Sequence, residues 1–167
     1  MIIVSGLPGS GKSYFASRLS ERLKAKYVSS DLTRNEMDAR GEYAFDDKLD
    51  VYEEMAGRVG DHLRQGEAVV VDATFYRREM RNLFFALAKL LHQAVIYIEV
   101  VADEILVHAR LSQPRLHSEA DVAVYELVKP QYERLDVDHL VLKSTDDNIE
   151  EMLRKGEEYI KKVDAGI

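Results

Sequence analysis

The chain has 167 residues, of which 46% are hydrophobic and 32% are charged, and this length fits one domain with its own core better than two. Its formal net charge of -7 argues against a broad nucleic-acid surface, which needs clustered Lys and Arg, but leaves room for a local basic pocket. The absence of cysteine excludes disulfides and thiolate metal sites.

Five short apolar runs rich in β-branched residues predict strands. In chain order they span residues 2–4, 26–28, 68–71, 94–101 and 139–142. Most of them lack polar alternation, which is typical of strands that are buried on both faces of a parallel sheet. Three stretches between them carry apolar residues at helical spacing, in stripes that begin at Phe15, Leu49 and Met80.

This alternation of strands and helices predicts an α/β fold in which helices cover both faces of a parallel sheet. No linker or repeat divides the chain, so we expect a single domain over residues 1–167. Gln113 and Pro114 interrupt a helical region, which favours a short lid at about residues 110–118. Ligands of such sheets bind at the carboxyl ends of the strands, and the polar residues there are therefore the first candidates for a site.

A phosphate-binding motif follows the first predicted strand. Residues 6–13 read GLPGSGKS and match G-x-x-x-x-G-K-[ST] in full. Glycines let backbone N–H groups turn towards a phosphate, and the helix that follows adds its positive N-terminal end. Lys12 is expected to reach the β and γ phosphates, and the Ser13 hydroxyl to ligate Mg2+. The predicted nucleotide-binding residues of the motif are Gly6, Gly9, Ser10, Gly11, Lys12 and Ser13.

Asp31 and Arg34 follow the second predicted strand. A carboxylate at this end of a strand is placed to face a γ-phosphate and to accept a proton from an attacking hydroxyl, which would make Asp31 a catalytic and acceptor-binding residue. Arg34 lies one helical turn later, on the same face, where it could hold the acceptor. The alternative is that Asp31 only caps the next helix.

Asp72 ends the apolar run Val69–Val71, the pattern of a Walker B strand. It is expected to hold a water on Mg2+ or to orient groups of the acceptor site. The alternatives are a helix cap or a partner for an arginine of the basic cluster at residues 77–81. That cluster is itself expected to be a solvated helix start, and the alternative is that one of its arginines helps to bind the acceptor. Ala73 and Thr74 follow, so the Glu that hydrolytic ATPases use to activate water is missing at this point.

Arg110 and Arg115 flank the interruption of the predicted lid. A guanidinium there is suited to neutralise charge on a transferring phosphoryl group, because it stays charged and bonds bidentately. Arg110 is the preferred candidate for a nucleotide-binding and catalytic role, although a solvated surface position is the alternative for both arginines. The loop at residues 143–146 follows the last strand and is where we expect adenine contacts; it lacks the guanine-reading Asn-Lys-x-Asp sequence.

Four segments in this order resemble the AAA_33-type P-loop kinases: the motif at 6–13, Ser30–Arg34, Val70–Thr74, and Arg110 ahead of residues 118–121. That group includes polynucleotide 5′-hydroxyl kinases and is related to gluconate kinase, zeta toxins and adenylate-kinase-like enzymes. The resemblance implies a P-loop NTPase fold with five parallel strands, a general base at Asp31, an acceptor-phosphate-binding Arg34 and a lid arginine at Arg110. The sequence departs from the group at Phe75, where Asn is usual.

These features together predict a kinase that moves the γ-phosphate of Mg-ATP to a hydroxyl acceptor, either a small molecule or a polynucleotide 5′ end. The alternative is a regulatory module that binds ATP and has no acceptor of its own. The chain shows no signal-peptide pattern and no apolar run of membrane-spanning length. We therefore expect a cytoplasmic protein that requires ATP and Mg2+ and has no membrane partner.

Overall fold

A computed structural model describes residues 1–37, 45–113 and 120–166 of the chain. Its strands are β1 (Ile2–Ser5), β2 (Lys26–Ser29), β3 (Val69–Asp72), β4 (Ile96–Val101) and β5 (Leu140–Lys143). Its helices are α1 (Lys12–Leu23), α2 (Ser30–Glu36), α3 (Phe45–Arg64), α4 (Arg78–Leu90), α5 (Glu104–Leu111), α6 (Val122–Val128) and α7 (Ile149–Asp164), and a short 3-10 turn covers Lys129–Gln131. The five strands lie where the apolar runs predict them, with ends that differ by one or two residues.

The five strands form one parallel sheet in the order β2-β3-β1-β4-β5. Because β1 lies in the middle and connects to α1, the loop between them stands at the carboxyl edge of the sheet, between the ends of β3 and β4. Side chains alternate between the two faces of each strand. On β1, Ile2 and Val4 pack with α1 and α7, whereas Ile3 packs with α3 and α4. The predicted parallel sheet with helices on both faces is thus confirmed.

The predicted lid is described only in part. Helix α5 ends at Leu111, and residues 114–119, with Arg115 among them, lie outside the described residues. On the far side, the Asp121 side chain caps α6 by accepting a hydrogen bond of 3.0 Å from the Val124 N–H. Among the described helices, none has both the length and the apolar character needed to cross a bilayer.

Candidate functional site

The phosphate-binding motif forms the turn between β1 and α1. Gly6 and Gly9 have φ values of 155° and 79°, and Gly11, with φ 90°, is the residue before the first turn of α1. A Cβ on Gly11 would lie 3.0 Å from the Ser144 Oγ and would strain the backbone, since side chains rarely adopt this conformation. Glycine at position 11 therefore fits both the turn of the loop and the close approach of the neighbouring loop.

Lys12 and Ser13 are the first two residues of α1 and face a cavity of about 470 Å³. Its volume lies in the range of small-molecule sites. The other wall comes from the loop after β5 and from the first turn of α7, through Thr145, Asp146, Asn148, Ile149 and Met152. The phosphate-binding motif and the loop predicted to contact adenine thus line one cavity, together with apolar side chains of α7.

Arg110 joins the two walls of this nucleotide cavity. Its Nη1 donates to the Gly9 carbonyl at 3.3 Å and to the Ser144 Oγ at 2.8 Å. Its Nη2 donates to the Thr145 carbonyl at 3.0 Å and to the Asp146 carboxylate at 3.1 Å. Within the described residues, every hydrogen bond of the guanidinium therefore goes to a residue that lines this cavity, which we call the nucleotide side of the site.

Ser144 completes the link between the two walls, and the sequence reasoning did not single it out. It is buried, and its hydroxyl donates to the Ser10 carbonyl at 2.6 Å while it accepts from Arg110. A serine after the last strand is too common to signal such a contact by itself. The one feature of the sequence that pointed to Ser144 was its position directly after β5, at the carboxyl end of the sheet.

Asp72 ends β3 and is almost entirely buried, with 1% of its surface exposed. Its Oδ2 accepts a hydrogen bond of 2.6 Å from the Tyr27 hydroxyl. Burial raises the pKa of the Asp72 carboxyl, and so does the negative charge of Asp31. The Lys12 ammonium and the hydroxyls of Ser13 and Tyr27 oppose this rise. Asp72 is thus electrostatically coupled both to the phosphate-binding loop and to Asp31.

The residues around Asp72 fit a hydrated Mg2+ ion. The Asp72 Oδ1 is buried and has no hydrogen-bond partner within the described residues, a state that a buried carboxylate oxygen rarely keeps. Mg2+ prefers oxygen ligands and retains several of its waters, so a carboxylate oxygen beside a serine hydroxyl is a suitable donor set. Ser13 and Asp72 are the residues that would hold the ion.

Asp31 and Arg34 lie on α2, where the Arg34 Nη1 is 3.4 Å from the Asp31 Oδ1. They line a second, smaller cavity of about 50 Å³, whose wall includes Pro8 of the phosphate-binding loop. The other residues of its lining are Ser30, Tyr52, Thr74, Tyr76, Ala120, Val124 and Val128. Asp31 thus stands next to the phosphate-binding loop, across from the nucleotide cavity.

The structure does not support two of the alternative roles, that of Asp31 as a helix cap and that of Asp72 as the partner of an arginine. The residue before α2 is Ser29, and Asp31 is the second residue of the helix, so Asp31 is not its cap. The hydrogen bond of Asp72 is to Tyr27, on the neighbouring strand, and not to an arginine of the basic cluster.

The solvated basic cluster expected at residues 77–81 is wrong for Arg81. This side chain is only 1% exposed and donates to the carbonyls of Phe75 and Glu133 at 2.9 and 3.0 Å. It supports Phe75, the residue that departs from the resembled group. Phe75 is buried with φ 50°, a conformation that Asn adopts more readily than Phe. The ring of Phe75 packs in the core between the rings of Tyr52 and Phe84, and its centroid lies 5.2 Å from the centroid of each.

Several known structures share this fold. The gluconokinase of Sinorhizobium meliloti has a TM-score of 0.74 and 16% identity, and the match covers 97% of this chain and 91% of that one. The APS kinase of Mycobacterium tuberculosis, in complex with AMPPNP and APS, has a TM-score of 0.71 and 18% identity over 96% of both chains. Kti12 of Chaetomium thermophilum, in complex with ADP-AlF3, has a TM-score of 0.73 and 21% identity, covering 96% and 97%. These identities establish a shared fold.

No curated protein sequence matches the chain significantly. The sequence model of the AAA domain family AAA_33 matches residues 1–135, a range that includes the phosphate-binding loop, Asp31, Asp72 and Arg110. This match covers most of the chain. The chain belongs to the AAA_33 family of P-loop proteins.

Proposed function

We propose that the protein is a kinase that transfers the γ-phosphate of Mg-ATP to a hydroxyl group of an acceptor. The observation that carries this proposal is the pair Asp31–Arg34 in a cavity whose wall includes Pro8 of the phosphate-binding loop. A carboxylate beside a guanidinium can both take a proton and hold an acceptor, whereas a protein that only binds nucleotide has no need of either. The known structures of the same fold include kinases, which supports the proposed kinase function.

The nucleotide side supplies binding and charge. Lys12 extends from the start of α1, where its ammonium would contact the β and γ oxygens, and the loop N–H groups would cradle the phosphates. Mg2+, when held through Ser13 and Asp72, would neutralise charge that develops on the transferring group. Arg110 would close the cavity over the nucleotide from the side of α5, and a catalytic contribution from its charge belongs to the same proposal.

The acceptor side supplies the base. The Asp31 carboxylate would accept the proton of the attacking hydroxyl as the new O–P bond forms and the bond from the γ-phosphorus to the β–γ bridging oxygen breaks. Arg34, held 3.4 Å from Asp31, would orient the acceptor and steady the carboxylate. Of the two acceptor classes, the small molecule fits the net charge of -7, and the polynucleotide 5′ end fits the family resemblance.

Transfer of labelled γ-phosphate tests this proposal. Mg-ATP is incubated with two sets of acceptors, 5′-hydroxyl DNA and RNA oligonucleotides and a panel of sugars, sugar acids and nucleosides, and labelled products are separated from ATP. We expect acceptor-dependent label in one of the two sets, and none with the Lys12→Ala variant. Tight Mg-ATP binding without transfer to any member of either set would favour the ATP-binding module instead.

A further inference from the structure

The two oxygens of the Asp72 carboxylate are in different states. Oδ2 accepts the 2.6 Å hydrogen bond from the Tyr27 hydroxyl, whereas Oδ1 has no hydrogen-bond partner within the described residues. A carboxylate has about four acceptor sites, and a buried one normally fills them. One oxygen is therefore fixed by Tyr27, and the other is available to a further donor.

The strand register explains how Tyr27 reaches this carboxylate. In the pairing of β2 with β3, Tyr27 is opposite Val70 and Ser29 is opposite Asp72. Tyr27 and Asp72 are thus diagonal neighbours on the same face of the sheet, a distance that an aromatic side chain spans. This face is the one covered by α1, the helix that begins with Lys12 and Ser13.

The hydroxyl of Tyr27 gives this position a function that a phenylalanine could not provide. The ring packs with the apolar cluster beneath α1, which a phenylalanine would also do. Only the hydroxyl can donate to Asp72, and at neutral pH a phenol is protonated and can donate. Such a bond to an ionised carboxylate is among the stronger hydrogen bonds in proteins, and it restricts rotation of the carboxylate about its last torsion.

We propose that Tyr27 is a positioning residue that holds Asp72 through Oδ2, so that Oδ1 faces the hydration shell of the Mg2+ that accompanies the nucleotide. The proposal deepens the proposed function at its metal site, but its test does not depend on phosphoryl transfer. Tyr27 acts through Asp72 and does not itself touch the nucleotide.

The test is ADP binding by calorimetry, in excess Mg2+ and in EDTA, for the wild type and Tyr27→Phe. Loss of one charge-assisted hydrogen bond is expected to weaken binding in Mg2+ by about tenfold and to leave binding in EDTA unchanged. The control is Tyr132→Phe, which removes another tyrosine–carboxylate hydrogen bond, to Glu99 on β4. This control is expected to leave the ratio of the two affinities as in the wild type.

Two results would overturn the proposal. One is an ADP affinity of Tyr27→Phe that equals the wild-type affinity both in Mg2+ and in EDTA; the other is an equal loss in Mg2+ and in EDTA, which is what a purely structural role would give. Since Phe retains the ring, we expect Tyr27→Phe to fold, and thermal unfolding verifies this.

A double-mutant cycle separates Tyr27 from other routes to the metal. In the Asp72→Asn background, Tyr27→Phe should add no further loss in the Mg2+-dependent part of ADP binding, because the residue through which it acts has already been changed. An additive loss would contradict the proposal. If the chain transfers phosphate to no acceptor but the cycle behaves as stated, the proposed kinase activity fails and the role of Tyr27 stands.

Discussion

The nucleotide side and the acceptor side of this site are built differently. The nucleotide cavity measures about 470 Å³ and is held by backbone carbonyls, through the bonds of Arg110 and Ser144 to Gly9, Ser10 and Thr145. The proposed acceptor cavity measures about 50 Å³, and its charged side chains Asp31 and Arg34 come from a single seven-residue helix. The first depends on backbone shape, the second on a few side chains.

This difference teaches where the specificity of such a protein lies. The backbone N–H groups of a glycine-rich turn bind phosphates, which all nucleotides share, so the same kind of loop can serve many relatives. In the proposed function, side chains such as Asp31 and Tyr76 would decide which acceptor fits, and they can change without altering the fold. Variants on the two sides should therefore fail in different measurements.

The largest effect is expected from Lys12→Ala. The variant removes the charge that would bridge the β and γ phosphates, so transfer should fall by about a thousandfold or more. Steady-state transfer with saturating ATP measures it, and Lys89→Ala, at an exposed position of α4, is the control. If Lys12→Ala retained its turnover, this result would contradict a role of the phosphate-binding loop in phosphoryl transfer.

Gly11→Ala should damage the nucleotide side by strain alone. The new Cβ would meet the Ser144 Oγ at 3.0 Å in a backbone with φ 90°, at a cost of about 1–3 kcal/mol. We expect ADP affinity to fall with or without Mg2+, and the unfolding temperature to fall with it. Gly57→Ala is the control, because nothing lies within 4 Å of that Cβ on α3. Equal behaviour of the two variants would contradict the close packing of the loops.

Arg110→Ala tests whether Arg110 acts mainly in catalysis or in nucleotide binding. The sequence predicts a catalytic arginine, whereas its hydrogen bonds in the structure lie on the nucleotide side. We expect ATP affinity to fall by about tenfold and kcat to fall less, because one contact with the phosphate-binding loop and three with the loop after β5 are lost. Arg154→Ala, which breaks an exposed pair on α7, is the control. A rate that falls more than the affinity would make Arg110 chiefly a transition-state residue.

The smallest expected effect concerns stability and pH. Burial raises the pKa of Asp72 above its ordinary value of 3.8, so the folded state binds a proton more tightly than the unfolded state does. The free energy of unfolding therefore decreases as pH rises between the unfolded and the folded pKa. Asp72→Asn removes this term, and other titrations cancel when the two proteins are compared.

Thermal unfolding in EDTA from pH 4 to pH 7 measures this difference. The Tm of the wild type is expected to drop relative to that of Asp72→Asn as pH rises, by about 2–4 °C for each kcal/mol. A difference in Tm that stays constant over this range would contradict the raised pKa.

Much of the fold followed from local patterns. The apolar runs at residues 2–4 and 68–71 are strands, and the motif at 6–13 lies in the turn between β1 and α1. Such features depend on residues close in sequence, so the sequence alone carries them.

Contacts between distant segments could not be predicted in the same way. Ser144 meets Ser10 across 134 positions, and Tyr27 meets Asp72 across 45. The sequence pattern suggested that Arg81 is a surface residue, because no local pattern indicates that two of the three carbonyls to which it donates, those of Glu133 and Arg134, come from a distant segment. These contacts arise from strand order and helix packing, which the periodicity of a segment does not encode.

The most direct test of the account compares Asp31→Asn with the wild type in two measurements, Mg-ATP affinity and transfer to the acceptor that the panel identifies. Asn keeps the shape of the side chain and cannot take the proton, so we expect affinity within about twofold and a rate lowered by about a hundredfold or more. Asp61→Asn, an exposed carboxylate on α3, should change neither. An unchanged rate in Asp31→Asn would contradict the assignment of Asp31 as the base and, with it, the proposed acceptor side.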